Sequence, residues 1–211
     1  MNKDHFEEWQ RYLPHFLNEE DKRSLYSELR LFPEKLNYFG STFDDGPLQG
    51  DGWRPFVLFE LSSGAKREVA GIVISNSCDT VISNSPDGKQ NILFAPLQRL
   101  EGWAQRLHKI GRSDKQIESA LNAIRRQEKS DILYLPATNE LPECFVRLDE
   151  IRPQALSTFL HGTRVRLFSL SQAGFYILVI KLAIHFTRIQ ERVRRSFGAP
   201  GDPPPQPRTP V

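Results

Sequence analysis

The sequence predicts an α+β fold, a small and strongly curved β-domain carrying N-terminal helices, a helical insertion and a long basic C-terminal helix. Three observations predict it. Short β-branched and aromatic runs bounded by Gly, Pro, Asn and Ser recur between residues 54 and 168. Apolar residues at helical spacing fill the N-terminus and residues 100–124. Residues 173–186 are almost continuously apolar. At 211 residues the chain can bury a core without covalent staples. The two cysteines, Cys78 and Cys144, form no CxxC, and the charged N-terminus has no apolar leader core, so the expected location is cytoplasmic.

Residues 1–39 read as a helical segment. Asp4 with Glu7 makes a capping-box-like start, and Phe6, Trp9, Leu13, Phe16 and Leu17 recur at helical spacing, with Pro14 as a break. A second helix starts at Asn18, carries Leu25, Tyr26 and Leu29, and stops before Pro33. Both are expected to cover one side of the domain that follows. That domain spans residues 40–170 with its insertion at 98–130. The Gly, Asp, Ser and Pro content of residues 40–53 marks a loop leading into strands at Arg54–Leu61 and Glu68–Ser75, a hairpin turning at Gly64. Further strands are expected at Asn91–Ala95, Ile132–Leu135, Cys144–Leu148 and Arg164–Phe168.

In the insertion, Leu100, Trp103, Ala104 and Leu107 form one apolar face closed by Gly111. Ser113 and Gln116 then make a capping box ahead of Ile117, Ala120, Leu121 and Ile124, so two antiparallel helices are expected. Ser171 caps the last helix, residues 171–197. The apolar run within it is shorter than the roughly 20 residues that span a bilayer, and Lys181 and His185 interrupt it, so no membrane insertion is expected. The tail, residues 198–211, holds six prolines from Ala199 onward and reads as disordered or polyproline-like. The near-repeat VISNSCD from Val73 and VISNSPD from Val81 has too short a period for a solenoid.

The net charge of +2 hides a gradient: residues 1–50 carry 6 basic and 10 acidic side chains, residues 51–150 carry 13 and 14, and residues 151–211 carry 9 and 2. A basic end implies either a polyanion or acidic partner, or docking on the chain's own acidic N-terminal helices. Lys181, His185, Arg188, Arg192 and Arg195 fall on one helical face, which suits a phosphate backbone or a plain solvated stripe. Arg125 and Arg126, with Lys129, line the outer face of the second insertion helix and have the same two readings. The turn Ser75, Asn76, Ser77, Cys78, Asp79 follows a buried strand, a common place for a site. No histidine has a spacing that would make it a base for Cys78, and Asp79 beside it would raise the thiol pKa. The alternative is a turn whose side chains bond its own amides. Histidines and cysteines show no metal-ligand spacing, and no phosphate-loop or dinucleotide motif occurs, so neither metal nor cofactor is expected.

Four segments, taken in order, resemble the MazF/PemK toxins: Gly50, Asp51, Gly52, Trp53; REVAGIVIS from Arg67 to Ser75; ILFAPLQ ending at Gln98; and VRLDEIRP from Val146 to Pro153. Together they hold 28 of the 211 residues. The resemblance implies an SH3-like β-barrel, a homodimer, and metal-independent acid-base cleavage of RNA using an arginine at the start of the second strand and a hydroxyl residue after the third. Arg67 falls on the first position and Gln98, without a hydroxyl, on the second. The expectation is therefore a toxin or phage-defence protein that engages RNA. Arg67 and Asp79 are its candidate catalytic residues, and Ser75, Asn76, Arg125, Arg126, Lys181, Arg188, Arg192 and Arg195 are its candidate RNA contacts. The alternative is a non-catalytic module binding a protein partner encoded nearby.

Overall fold

The computed structural model describes Glu20, Ser27 and residues 31–32, 35–41, 46–60, 63–80 and 89–187. The expected N-terminal helices, the second copy of the near-repeat, the last helix beyond Thr187 with Arg188, Arg192 and Arg195, and the proline-rich tail lie wholly or mainly outside these residues.

The chain is mixed α+β. Its strands are β1 (Phe39–Gly40), β2 (Gly52–Glu60), β3 (Ala65–Val73), β4 (Asn91–Pro96), β5 (Gln98–Arg99), β6 (Ile132–Leu135), β7 (Cys144–Arg147), β8 (Arg152–Ala155) and β9 (Val165–Leu170). Among the described residues, the α-helices with defined bounds are α1 (Leu100–Lys109), α2 (Asp114–Arg125), α3 (Leu156–His161) and α4 (Gln172–Thr187). Six strands form an antiparallel sheet in the order β1-β9-β2-β3-β4-β8, and three form a smaller one in the order β5-β7-β6. Neither closes into a barrel.

The chain passes between the sheets twice. It leaves the larger one at Pro96 and enters the smaller at Gln98, then returns through the single 3-10 turn Leu148–Glu150 between β7 and β8. Both sheets share one core: Ile72, Ile74 and Ala95 of the larger layer meet Leu133, Leu135, Cys144 and Val146 of the smaller. On the opposite face of the larger sheet, Val73 and Phe94 pack with Trp53, Phe56, Ile92, Leu156 and Phe159 under α3. Rings stack there at 4.2 Å for Phe56 with Phe94 and 4.8 Å for Phe56 with Phe159. Burial on both faces explains the unbroken apolar run Gly71–Ile74, since alternation marks only a half-solvated strand.

The capping box of α2 forms as its spacing predicts, with Gln116 N donating to Ser113 Oγ and Ser113 N to Gln116 Oε1. Both insertion helices pack on the small sheet through Leu100, Ile124 and Phe145. The elements that depart from the sequence pattern include β5 within the expected helical insertion, β8, β1 and α3. Strand β8 contains Pro153, which an edge strand tolerates because one side of it needs no ladder bond. Strand β1 has only two residues and α3 only six, too short for a periodicity to register.

Candidate functional site

The chain enters β2 through a turn whose acidic residue is held inside the protein. Asp51 is 2% exposed. It sits there because its neighbours are glycines: Gly50 has φ +90°, and a Cβ on Gly52 would lie 2.2 Å from the Phe168 ring. The Asp51 carboxylate accepts a hydrogen bond from Leu48 N at 3.2 Å and pairs with Arg166 Nε at 3.2 Å. Arg166 also donates to the Gly46 carbonyl at 2.7 Å, and its guanidinium lies 4.7 Å from the centre of the Trp53 ring. Burial pushes the Asp51 carboxyl above its ordinary range, and the Ser169 hydroxyl, the Leu48 amide and Arg166 offset part of that rise.

Asp51 forms part of the wall of an open cavity of about 450 Å³ where β1, β9 and the first turn of α4 meet. Ser41, Gln49, Ser77, Ser169 and Ser171 supply hydroxyl and amide groups around it, and Leu48, Leu170 and Phe175 supply apolar surface. Such a lining can bind a small polar molecule through hydrogen bonds. Among the described residues no cluster of His, Cys, Asp or Glu is suited to hold a metal ion.

The candidate residues named from the sequence are not gathered here. Arg67 is exposed on β3 opposite Leu58. Asp79 lies beyond the other end of that strand, in the 3-10 turn Ser77–Thr80. Residues 67 to 73 of an extended strand cover roughly 20 Å, and the turn that follows is tied back toward the start of β2, so the proposed catalytic pair does not share one groove. The tie is made by Gln49 N donating to Ser77 Oγ at 3.0 Å and Thr80 Oγ1 donating to the Pro47 carbonyl at 2.9 Å. Ser75 and Asn76 bond backbone amides nearby. Ser75 is buried and its hydroxyl accepts from Leu93 N at 2.7 Å, while Asn76 Oδ1 accepts from Cys78 N at 3.1 Å. Only Ser77 of this turn lines the cavity.

Two of the basic candidates are likewise engaged internally. Arg125 makes a forked pair with Glu143 at 2.7 and 2.8 Å, and the Tyr134 hydroxyl donates to the same carboxylate at 2.5 Å. Arg125 and Tyr134 together hold the Glu143 carboxyl below its ordinary range. Lys181 does not belong to a solvent-facing stripe. It is 6% exposed, and its ammonium donates to the Gln127 and Lys129 carbonyls at 3.1 and 2.6 Å. The buried face of α4 turns toward the core at that position, and those two carbonyls just past α2 need a donor. Arg126 is exposed and pairs with Glu128 at 3.2 Å. Gln98, at the position where the resemblance implies a hydroxyl, links Glu150 at 2.9 Å to Arg106 at 3.0 Å.

The sequence reading singled out neither Asp51 as a buried acid nor Arg166 as its partner. The glycines flanking Asp51 are a local signal for the first, whereas Arg166 joins it only through the β2–β9 pairing of residues more than 100 apart. No protein-family model matches this chain, and no curated protein sequence matches it.

Proposed function

We propose that this chain is a non-catalytic protein-interaction module of a multi-component bacterial defence or toxin–antitoxin system, with an SH3-like β-domain as its scaffold. The observation that carries this reading is the open ribbon formed by the far halves of β2 and β3. Lys66, Arg67 and Glu68 are exposed, and Phe59 beside them is 63% exposed. Along the outer edge of β3 the bond from Leu97 N to the Ala70 carbonyl continues the β4 ladder, and among the described residues no strand pairs that edge at residues 65–69. Backbone groups alternate along a strand, so Lys66 and Glu68 turn theirs outward as Ala70 does. An edge of this kind takes an added strand from a partner, with an apolar anchor such as Phe59 beside it. Separation of Arg67 from Asp79 supports the non-catalytic reading, and the consecutive antiparallel order β2-β3-β4, with a bulge between Trp53 and Phe56, supports the SH3-like scaffold.

The test is co-expression with the proteins encoded beside it, followed by gel filtration of the complex. Glu68→Pro removes one outward N–H at an edge position that tolerates proline. Combined with Phe59→Asp it is expected to weaken the complex at least tenfold without loss of fold. A complex unchanged by both substitutions refutes the ribbon as the interface. The RNA-engaging reading, a metal-independent endoribonuclease with a degenerate site, draws on the exposure of Arg67. It requires cleavage of single-stranded RNA in EDTA that Arg67→Ala abolishes, whereas the interaction reading predicts intact RNA.

A further inference from the structure

The helical insertion forms an arm with a basic tip. Helix α1 starts and α2 ends against the small sheet, where Leu100, Ile124 and Phe145 meet. At 1.5 Å per residue, α1 carries the chain about 15 Å from there before it turns. The turn is fixed by local bonds. Gly111 has φ +81° and bonds through its N–H to the His108 carbonyl at 2.9 Å, and Arg112 N bonds to the Leu107 carbonyl at 3.1 Å. Every residue from His108 to Gln116 is exposed.

Four basic side chains, Arg106, Lys109, Arg112 and Lys115, lie in this stretch against one acid, Asp114. Arg106 donates to Gln98 Oε1 at 3.0 Å, a neutral acceptor that leaves its charge in place. Lys109, Arg112 and Lys115 make no ion pair with another described residue, and Asp114 lies 3.6 Å from His108 instead. Helix stability accounts for only part of the set. Arg106 and Lys109 occupy the last turn of α1, where the helix dipole favours cations. Arg112 and Lys115 flank the start of α2, where the dipole disfavours them. Two unpaired cations at the unfavourable pole of a helix point to a polyanion that meets them from outside.

The other tip residues narrow its chemistry. Ile110, 70% exposed, is the one exposed large apolar side chain between residues 106 and 116, far less apolar surface than a helix lying in a lipid interface presents. The same stretch holds no Phe, Tyr or Trp on which unpaired bases would stack. Ser113 and Gln116, whose side chains could otherwise meet ribose 2′-hydroxyls, are held in the capping box of α2. We propose that this tip docks on the backbone of double-stranded DNA, with Lys109, Arg112 and Lys115 contacting phosphates and no base being read. The surface is separate from the β2–β3 ribbon and does not depend on that ribbon taking a partner strand.

Fluorescence anisotropy of a labelled DNA duplex of scrambled sequence, titrated with the full-length protein between about 50 and 200 mM salt, tests this. Each phosphate contact adds about 0.9 to the slope of log K against log salt. Arg112→Gln with Lys115→Gln is therefore expected to lower that slope by about two and to weaken binding at least tenfold at the lower salt. Its Tm should equal or exceed that of wild type, because the charges removed oppose the α2 dipole. Equal affinity or equal slope in the two proteins overturns the proposal, as does absence of wild-type binding at the lower salt or a binding loss that comes with a lowered Tm. Duplex RNA, phosphatidylserine vesicles and a polyglutamate peptide are run beside the DNA. Tip-dependent binding to any of these without tip-dependent binding to DNA also overturns it.

Discussion

Replacing Gln127 by alanine is expected to cost more than replacing it by glycine, an inversion of the order that a helix interior shows. Gln127 has φ +58° immediately after α2. Its N–H bonds to the Ile124 carbonyl and the Glu128 N–H to the Ala123 carbonyl, the paired closure that terminates a helix and normally employs glycine. A glutamine occupies the position because its side chain is used three times: Nε2 donates to Tyr38 Oη at 3.1 Å and to the Tyr134 carbonyl at 2.8 Å, and Oε1 accepts from Tyr134 N at 3.1 Å. Truncation to alanine removes all three bonds, leaves part-buried backbone groups of Tyr134 without them, and keeps the strained backbone. At about 1 kcal/mol per bond the loss is about 3 kcal/mol. Glycine loses the same bonds but relieves about 1 kcal/mol of left-handed strain, which leaves about 2 kcal/mol. For a chain of this size those losses correspond to Tm decreases of roughly 6–12 °C and 4–8 °C. Urea unfolding of the three proteins with a common m-value measures the difference. The reasoning is refuted by an alanine variant within about 1 kcal/mol of wild type, or by a glycine variant less stable than the alanine one.

Further outcomes follow from the same contacts. Burial holds the Lys181 ammonium down to about 8 against an ordinary 10.5. Between those values the unfolded chain binds the extra proton, so wild-type stability should rise with pH across pH 8–10 relative to Lys181→Met, and a flat or falling difference in urea midpoints contradicts the assignment. Glu143 is held below its ordinary range, so its contribution is present above about pH 4.5 and lost as pH falls through the lower folded value; Glu143→Gln should flatten that acid limb in thermal scans. Gly174→Ala would place a Cβ 2.4 Å from the Tyr38 carbonyl oxygen, so about 1–3 kcal/mol of destabilisation is expected, with faster exchange at residues 36–38 than in wild type.

Much of the fold was legible because it is local. The hairpin at Gly64, the capping box at Ser113 and the cap at Ser171 depend on residues within a few positions of one another, and each element starts within three residues of its expected place. The site was less legible because its chemistry is decided by distance in space. Lys181 reads as a member of a basic stripe until the loop after α2 brings two carbonyls to it, and Arg125 reads as a solvated charge until Glu143 arrives from beyond β6. Arg67 and Asp79 stand 12 residues apart, and the extended run of β3 from Arg67 to Val73 places them toward opposite ends of that strand.

The placement of β9 bears on how the chain is made. Strand β9 pairs with both β1 and β2 and so occupies the middle of an edge that β2 otherwise leaves open. A nascent chain can close the β2–β3 hairpin and stack the Phe56 and Phe94 rings early, yet it must wait for residue 170 before that edge is filled. During this interval Gly52–Arg54, the part of β2 that β9 pairs, presents unpaired backbone to other chains, and loop closure over more than 100 residues makes the final pairing slow. The tightly folded turn before β2, with Asp51 drawn inward to meet Arg166 of β9, gives the late strand a charged partner to find, so the carboxylate that walls the cavity also favours the register in which the sheet is finished.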